Sequence, residues 1–271
     1  MKTSTSRRLF LVPYLLWIVL FVVTPIVLVG YYSFFDIEGN FTLGNYVRFF
    51  EPVYVKMVLS SFWYAFLTTL FSFLVAFPAA YLLVRLKHRQ LWLLLIILPT
   101  WINLLLKTYA FIGIFAMQGG VNHFLEFIGV GTQQLLFTSF SFVFVSVYIF
   151  IPFMLLPIYN ALEKLNPSYV FAAQDLGASR MYTFRRIILP LVSGGIKAGC
   201  MVVFIPALSL FMITRLIAGN QVVTLGTAIE QHFLVTQDWG MGATIGVFLI
   251  LAMVLMMVFM GGDSHVGGES R

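Results

Sequence analysis

"FAAQDLGASRMYTFRRIILPL", Phe171 to Leu191, is the stretch on which the reading of this chain turns. It lies between two long apolar segments and is more polar than either. Just upstream, Asn166-Pro167-Ser168 has the order of a helix start. Asparagine is a favoured N-cap, and proline at the first helical position lacks an N–H that would find no helical partner there anyway. Val170, Phe171, Ala172, Ala173 and Leu176 then make a small apolar face. Gly177 ends the helix or lets another backbone come close. Phe184, Ile187 and Ile188 resume an apolar pattern toward Pro190. Such a segment is too short to span a bilayer. It suits a membrane surface or a groove in a partner protein.

The surrounding chain says which setting applies. Of its 271 residues, 61% are hydrophobic and 10% charged, whereas soluble domains carry about 25% charged residues. This is the composition of a membrane protein. The net charge of +6 does not point to nucleic acid, because basic residues in a membrane chain mark cytoplasmic loops. A single cysteine, Cys200, excludes an internal disulfide. Six candidate spans follow from the apolar runs, at about 9–33, 57–84, 91–116, 137–162, 188–214 and 241–260. The first follows the basic stretch MKTSTSRRLF and is longer than a signal-peptide core; without an A-x-A-like site it reads as an uncleaved span. QGGVNHFLEFIGVGTQQ reads as a short surface helix between glycine turns. One transmembrane domain fills the whole of 1–271, with a cytoplasmic loop at 163–186 and a polar tail at 261–271.

Orientation follows from Lys and Arg. With the N-terminus inside, Lys2, Arg7, Arg8, Arg85, Lys87, Arg89, Lys164, Arg180, Arg185, Arg186 and Arg271 fall in the cytoplasm, and so does the C-terminus. Asp36, Glu38, Glu51, Glu126, Glu230 and Asp238 lean outward. They are either ordinary solvated loops or an outer vestibule attractive to cations.

Several chemistries are missing. No G-x-x-x-x-G-K-[S/T] is present, so the chain holds no P-loop for ATP phosphates. His88, His123, His232 and His265 form no metal-ligand spacing, and no nucleophile triad is discernible. Within the spans, Lys107 either snorkels to the surface or faces a path. Pro99 in "LPTWIN" bends its helix. Trp101, Asn103 and Tyr109 then either line a central path, where an aromatic face attracts ammonium groups, or pack helices. Glu230 and the stretch Gln237-Asp238-Trp239-Gly240 complete the candidate path, with Asp238 as carboxylate and Trp239 as π face beside it.

The segment at 171–191 resembles the cytoplasmic loop of permease subunits of bacterial ABC importers. Ala172, Ala173, Gly177, Ile187, Leu189 and Pro190 match that signature at its spacing, as do Asp175, Leu176, Ala178, Ser179 and Phe184. Phe171 stands where the family has Glu. "TLGNYVRFFEPVY", "LPTWINLLLKTYAF", "IFIPFMLLPIYNALEKLNPS" and "TQDWGMGATI" narrow the resemblance to spermidine/putrescine permease subunits over most of the chain. Arg215 stands where that subfamily has Asp. The resemblance implies an all-α membrane protein of six transmembrane helices in the importer-permease (MetI-like) fold, in the bacterial inner membrane. It further implies that Ala172, Ala173, Asp175, Leu176, Gly177, Ala178 and Ser179 form a coupling helix seated on a cytoplasmic ATPase dimer. ATP and Mg would bind to that ATPase, not to this chain. The other implied partners are a second, related permease subunit, an external substrate-binding protein and membrane lipid. The same machine for an amino acid, a sugar or an anion is the nearest alternative. A self-contained secondary transporter lacks its expected pair of interrupted helices here, and a membrane enzyme lacks a ligand or nucleophile cluster.

Overall fold

A computed structural model describes residues 3–219 and 221–261; the polar tail from residue 262 on, and with it the C-terminus, lies outside them. The chain is helical almost throughout. Among the described residues the only strand-like feature is an antiparallel bridge between Phe35 and Phe41. The helices are α1 Thr3–Ile18, α2 Thr24–Tyr32, α3 Gly44–Phe49, α4 Pro52–Leu83, α5 Arg89–Ile97, α6 Leu104–Phe115 and α7 Gly120–Phe127, then α8 Ser139–Glu163, α9 Pro167–Asp175, α10 Arg180–Thr183, α11 Leu189–Leu191, α12 Ser193–Leu208, α13 Leu225–Leu234 and α14 Trp239–Gly261.

Among the described residues five helical stretches are long and apolar enough to cross a membrane: Leu11–Tyr32, Pro52–Leu83, Leu104–Phe127, Ser139–Glu163 and Trp239–Phe259. The pair Arg180–Leu191 and Ser193–Leu208, bent by 63°, makes a sixth when the two are counted as one broken span. The expected third span at 91–116 is displaced. A shorter apolar helix, Arg89–Trp101, stops first, and Ile102 then turns extended (ψ 136°). Asn103 caps a new helix by accepting from the Leu105 N–H at 2.8 Å. Pro99 supplies no N–H to carry the first helix onward, and the asparagine makes the restart cheaper than a kink. The expected span at 188–214 is likewise shorter, broken near Val192 and ending at Leu208 just after Pro206.

The chain divides into two compact units. Among the described residues, one comprises the chain up to Met57 with Ala228–Ala252; the other comprises 58–219 and 221–227 with 253–261. The second has its core where α12 lies along α8. Gly195 and Gly199 make this possible. A Cβ on Gly195 would run into the Pro157 carbonyl and Ala161, and one on Gly199 would press on Met154. Small residues four apart let two membrane helices approach until their backbones touch, which is how helices associate where lipid offers no hydrophobic drive. Phe115, Phe142, Val145, Ile149, Ile213 and Ile217 close a second apolar cluster in that unit. In the first unit, Gly240 plays the corresponding part: a Cβ there would strike the Phe35 carbonyl oxygen. The α14 N-terminus is thereby seated against the turn at residues 33–36.

Candidate functional site

The segment 167–183 folds as its residues dictate. The Asn166 side chain accepts from the Ser168 N–H at 3.0 Å and starts α9. At the other end Gly177 takes φ +80°. The Ala178 N–H donates to the Ala173 carbonyl at 3.0 Å and the Gly177 N–H to the Gln174 carbonyl at 2.9 Å. These are the paired bonds of a Schellman stop, which needs a left-handed residue and so favours glycine. Ser179 then caps α10, its hydroxyl accepting from the Tyr182 N–H at 3.3 Å. Gly-Ala-Ser is thus one helix ending and the next beginning within three residues. Ala173 is buried by this fold-back, while Phe171 is 61% and Leu176 89% exposed. Ala172, Asp175 and Ser179 are also exposed, and Ala178 is half-buried. Tyr169, Ala172, Ala173, Leu176, Tyr182 and Ile187 border an open cavity of about 1020 Å³ beside α9. An apolar side chain held out in this way covers no surface of its own chain and suits a complementary groove.

The expected path residues divide between the units. Trp101, Asn103 and Tyr109 belong to the second. Trp101 ends the 3₁₀ turn before α6 with 77% of its surface exposed, Tyr109 is 57% exposed, and Asn103 is the exposed cap of α6. Glu230, Asp238 and Trp239 belong to the first. Glu230 is half-buried on α13.

Asp238 departs from the expectation that it offers a free carboxylate beside Trp239. It is 4% exposed. One carboxylate oxygen accepts from the Met241 N–H at 3.0 Å, capping α14. The other lies 3.2 Å from an Arg48 nitrogen and 3.9 Å from His232 Nδ1. His232 Nε2 shares a hydrogen bond of 3.1 Å with the Tyr54 hydroxyl, and the Thr236 hydroxyl lies 3.3 Å from Nδ1. A carboxylate near an N-terminus is favoured by the helix dipole, and a buried one needs such partners. Gln237, at φ +54°, sits at the turn after which Asp238 points inward and Trp239, 53% exposed, does not. Burial lowers the pKa of His232; Asp238 raises it and Arg48 lowers it further by smaller amounts. Sequence reasoning missed Arg48, Tyr54 and His232. Arg48 and Asp238 stand 190 residues apart, and no local pattern joins them.

No family model matches the chain. It is 36% identical over 267 residues to the spermidine/putrescine transport system permease protein PotB of Salmonella typhimurium (strain SL1344), covering 95% of this chain and 93% of that protein. Its fold matches a chain in the crystal structure of a bacterial ABC transporter involved in the import of the acidic polysaccharide alginate, with a TM-score of 0.83 at 18% identity over 99% of this chain and 98% of that one. It matches equally, at TM-score 0.83 and 17% identity over 97% and 95%, a chain of the bacterial alginate ABC transporter in complex with an alginate pentasaccharide-bound periplasmic protein.

Proposed function

This chain belongs to the family of spermidine/putrescine transport system permeases of ABC importers, and on that premise we propose that it forms part of the path by which a polyamine enters a bacterial cell. In this reading it is a multi-pass subunit of the inner membrane with both termini in the cytoplasm. It pairs with a second, related permease subunit and receives substrate from an external binding protein. A cytoplasmic ATPase dimer, which binds ATP and Mg, drives it.

The observation that carries the reading is α9. The Schellman stop at Gly177 holds Leu176 and Phe171 in the open, in the loop that the Lys/Arg distribution puts inside. That is the form of a helix awaiting a groove, and the ATPase is the partner that an importer permease has to meet. Ala172, Ala173, Asp175, Leu176, Gly177, Ala178 and Ser179 are assigned to this contact. Support for a polyamine comes from the named relative and from the exposed rings of Trp101 and Tyr109, whose faces suit ammonium groups. Asn103, Glu230 and Trp239 are assigned to the path with them. Asp238 is assigned the role of orienting Arg48 and α14 in it.

The test is uptake of radiolabelled spermidine and putrescine by cells with and without this chain, and co-purification of an ATPase with it. Uptake of both polyamines that depends on the chain is the expected result. Import of an amino acid, a sugar or an anion instead would overturn the substrate and leave the family untouched. Full uptake with no ATPase attached would overturn the coupling role of α9.

A further inference from the structure

The ring of Trp239 has other company than Asp238. In the first unit Tyr31, Tyr32, Phe35, Asp36, Trp239 and Gly240 border a cavity of about 430 Å³. The Tyr31 and Phe35 rings are 4.7 Å apart, those of Tyr31 and Tyr32 5.7 Å, and those of Tyr32 and Trp239 6.0 Å. The four rings come from the end of α2, the turn after it and the start of α14.

The turn that carries the carboxylate is built, not loose. The Asn45 amide donates to the Phe35 carbonyl at 2.8 Å, and the Thr244 hydroxyl donates to the Ser33 carbonyl at 3.2 Å. Gly240 lets α14 sit directly on the Phe35 carbonyl. Beyond it, Gly39 at φ +83° closes a tight loop in which the Asp36 N–H donates to the Asn40 carbonyl at 3.0 Å. The Asn40 N–H donates to Asp36 Oδ1 at 2.8 Å. The Asn40 amide lies 3.4 Å from both Asp36 Oδ2 and a Glu38 oxygen, bringing the two acids together.

The electrostatics single out one ligand class. Among the described residues Asp36 has no ion-pair partner, and no Lys, Arg or His borders the cavity. Asp238, next to Trp239 in the chain, is by contrast engaged with Arg48 and the α14 N-terminus. A carboxylate that keeps further lone pairs beside its Asn40 contacts, a second acid near it and four rings lining the same cavity attract a cation twice, by charge and by the ring quadrupoles. An interfacial aromatic belt accounts for the outward exposure of Tyr31, Tyr32 and Trp239 but not for an acid in the wall of the same cavity. An anion would be repelled.

We propose that Tyr31, Tyr32, Phe35 and Trp239, with Asp36, form a binding site for a primary alkylammonium group. The site takes one end of a polyamine, a ligand identity that rests on the function proposed above.

The test is equilibrium binding of radiolabelled spermidine to the purified importer complex in nanodiscs, without its binding protein, alongside ATP-driven uptake. Asp36→Asn is expected to weaken binding about tenfold, the scale of one charge-assisted contact, and to raise KM for uptake with kcat little changed. Tyr31→Leu is expected to weaken it several-fold and Tyr31→Phe to restore it, since the ring face and not the hydroxyl is used. Parent-like binding by both Asp36→Asn and Tyr31→Leu overturns the site, as does a parent complex that binds no spermidine. Binding that Asp36→Asn weakens in a complex that transports no polyamine keeps the site and overturns the transport function. A thermal melt of Asp36→Asn matching the parent shows that its weaker binding is not unfolding.

Discussion

The stretch Pro167–Ser179 and the cluster around Asp238 are both polar interruptions of an apolar chain, and they dispose of their groups in opposite ways. Around Asp238 every partner comes from the chain itself: Arg48, His232 and the Met241 N–H, with Tyr54 one step behind. In α9 the backbone is satisfied internally by the Asn166 cap and the Schellman bonds, yet Leu176 and Phe171 are left out. Closed accounts of polar groups indicate a brace; an apolar side chain held out by a rigid stop indicates a contact still to be made. The two regions therefore have to respond to substitution differently. Damage to the first should unfold its unit, and damage to the second should uncouple without unfolding.

The largest effect is expected at the brace. Gly240→Val puts a branched side chain against the Phe35 carbonyl, where even a Cβ has no room. Overpacking of this kind costs about 3 kcal/mol, and folded protein recovered from membranes should fall sharply. A Gly240→Val protein that melts like the parent would mean that α14 is not seated as described. Next comes Leu176→Asp, at the cap that ends α9. The thermal melt should be unchanged, because the side chain covers nothing in its own chain. Affinity for the ATPase should drop roughly thirtyfold, the scale of losing about 2 kcal/mol at an interface anchor. An unfolded variant, or one that couples normally, would erase the contrast between the regions.

A smaller effect sharpens the brace itself. In a double-mutant cycle of Arg48→Met and Asp238→Asn, the coupling energy should be on the order of 1 kcal/mol. It is kept low because the Arg48 side chain is 48% exposed although that of Asp238 is 6%. Additivity within error would mean that the 3.2 Å pair is incidental. The smallest effect concerns pH. Burial holds the pKa of His232 below its ordinary 6.5. The unfolded chain therefore binds the proton more readily, and stability is full above about 6.5 and falls as pH drops from there through the lowered folded value. Asp238 opposes this shift, while Arg48 and burial enforce it. Melting temperature should decline from pH 7.5 to pH 5.5, and His232→Gln should flatten the slope. An unaltered slope would assign the effect to other groups.

The two regions were not equally open to sequence reading. The fold of residues 167–179 was legible because its signals are local: Asn166-Pro167 and Gly177-Ala178-Ser179 write a helix start, a stop and a second start within bonding range of one another. The short helix at Gly120–Phe127 was visible for the same reason, bounded as it is by glycines. The third span was misplaced because Pro99 was read as a kink alone. Asn103, four residues later, is a cap, and the two together make a break. The candidate path was read as a linear neighbourhood, which set Asp238 beside Trp239. Adjacent residues at a turn point different ways, and Gln237 in the left-handed region turned these two apart.

By itself, the amino-acid order determined the class of protein, most of its apolar spans and the short helix Pro167–Asp175 between two of them. Each of these depends on composition, on runs the length of a bilayer, or on caps within a few residues, and all are short-range quantities. Only the tertiary structure decided which charge is spent and which is free. Asp36 and Asp238 look alike in sequence, each next to an aromatic residue. Packing of the α14 N-terminus buries Asp238 on Arg48 and leaves Asp36 at the edge of an aromatic cavity. The electrostatic fate of a carboxylate depends on what lies around it, and that is set by residues far along the chain: Arg48 pairs with Asp238 across 190 positions, and Trp239 and Gly240 share a cavity wall with Asp36.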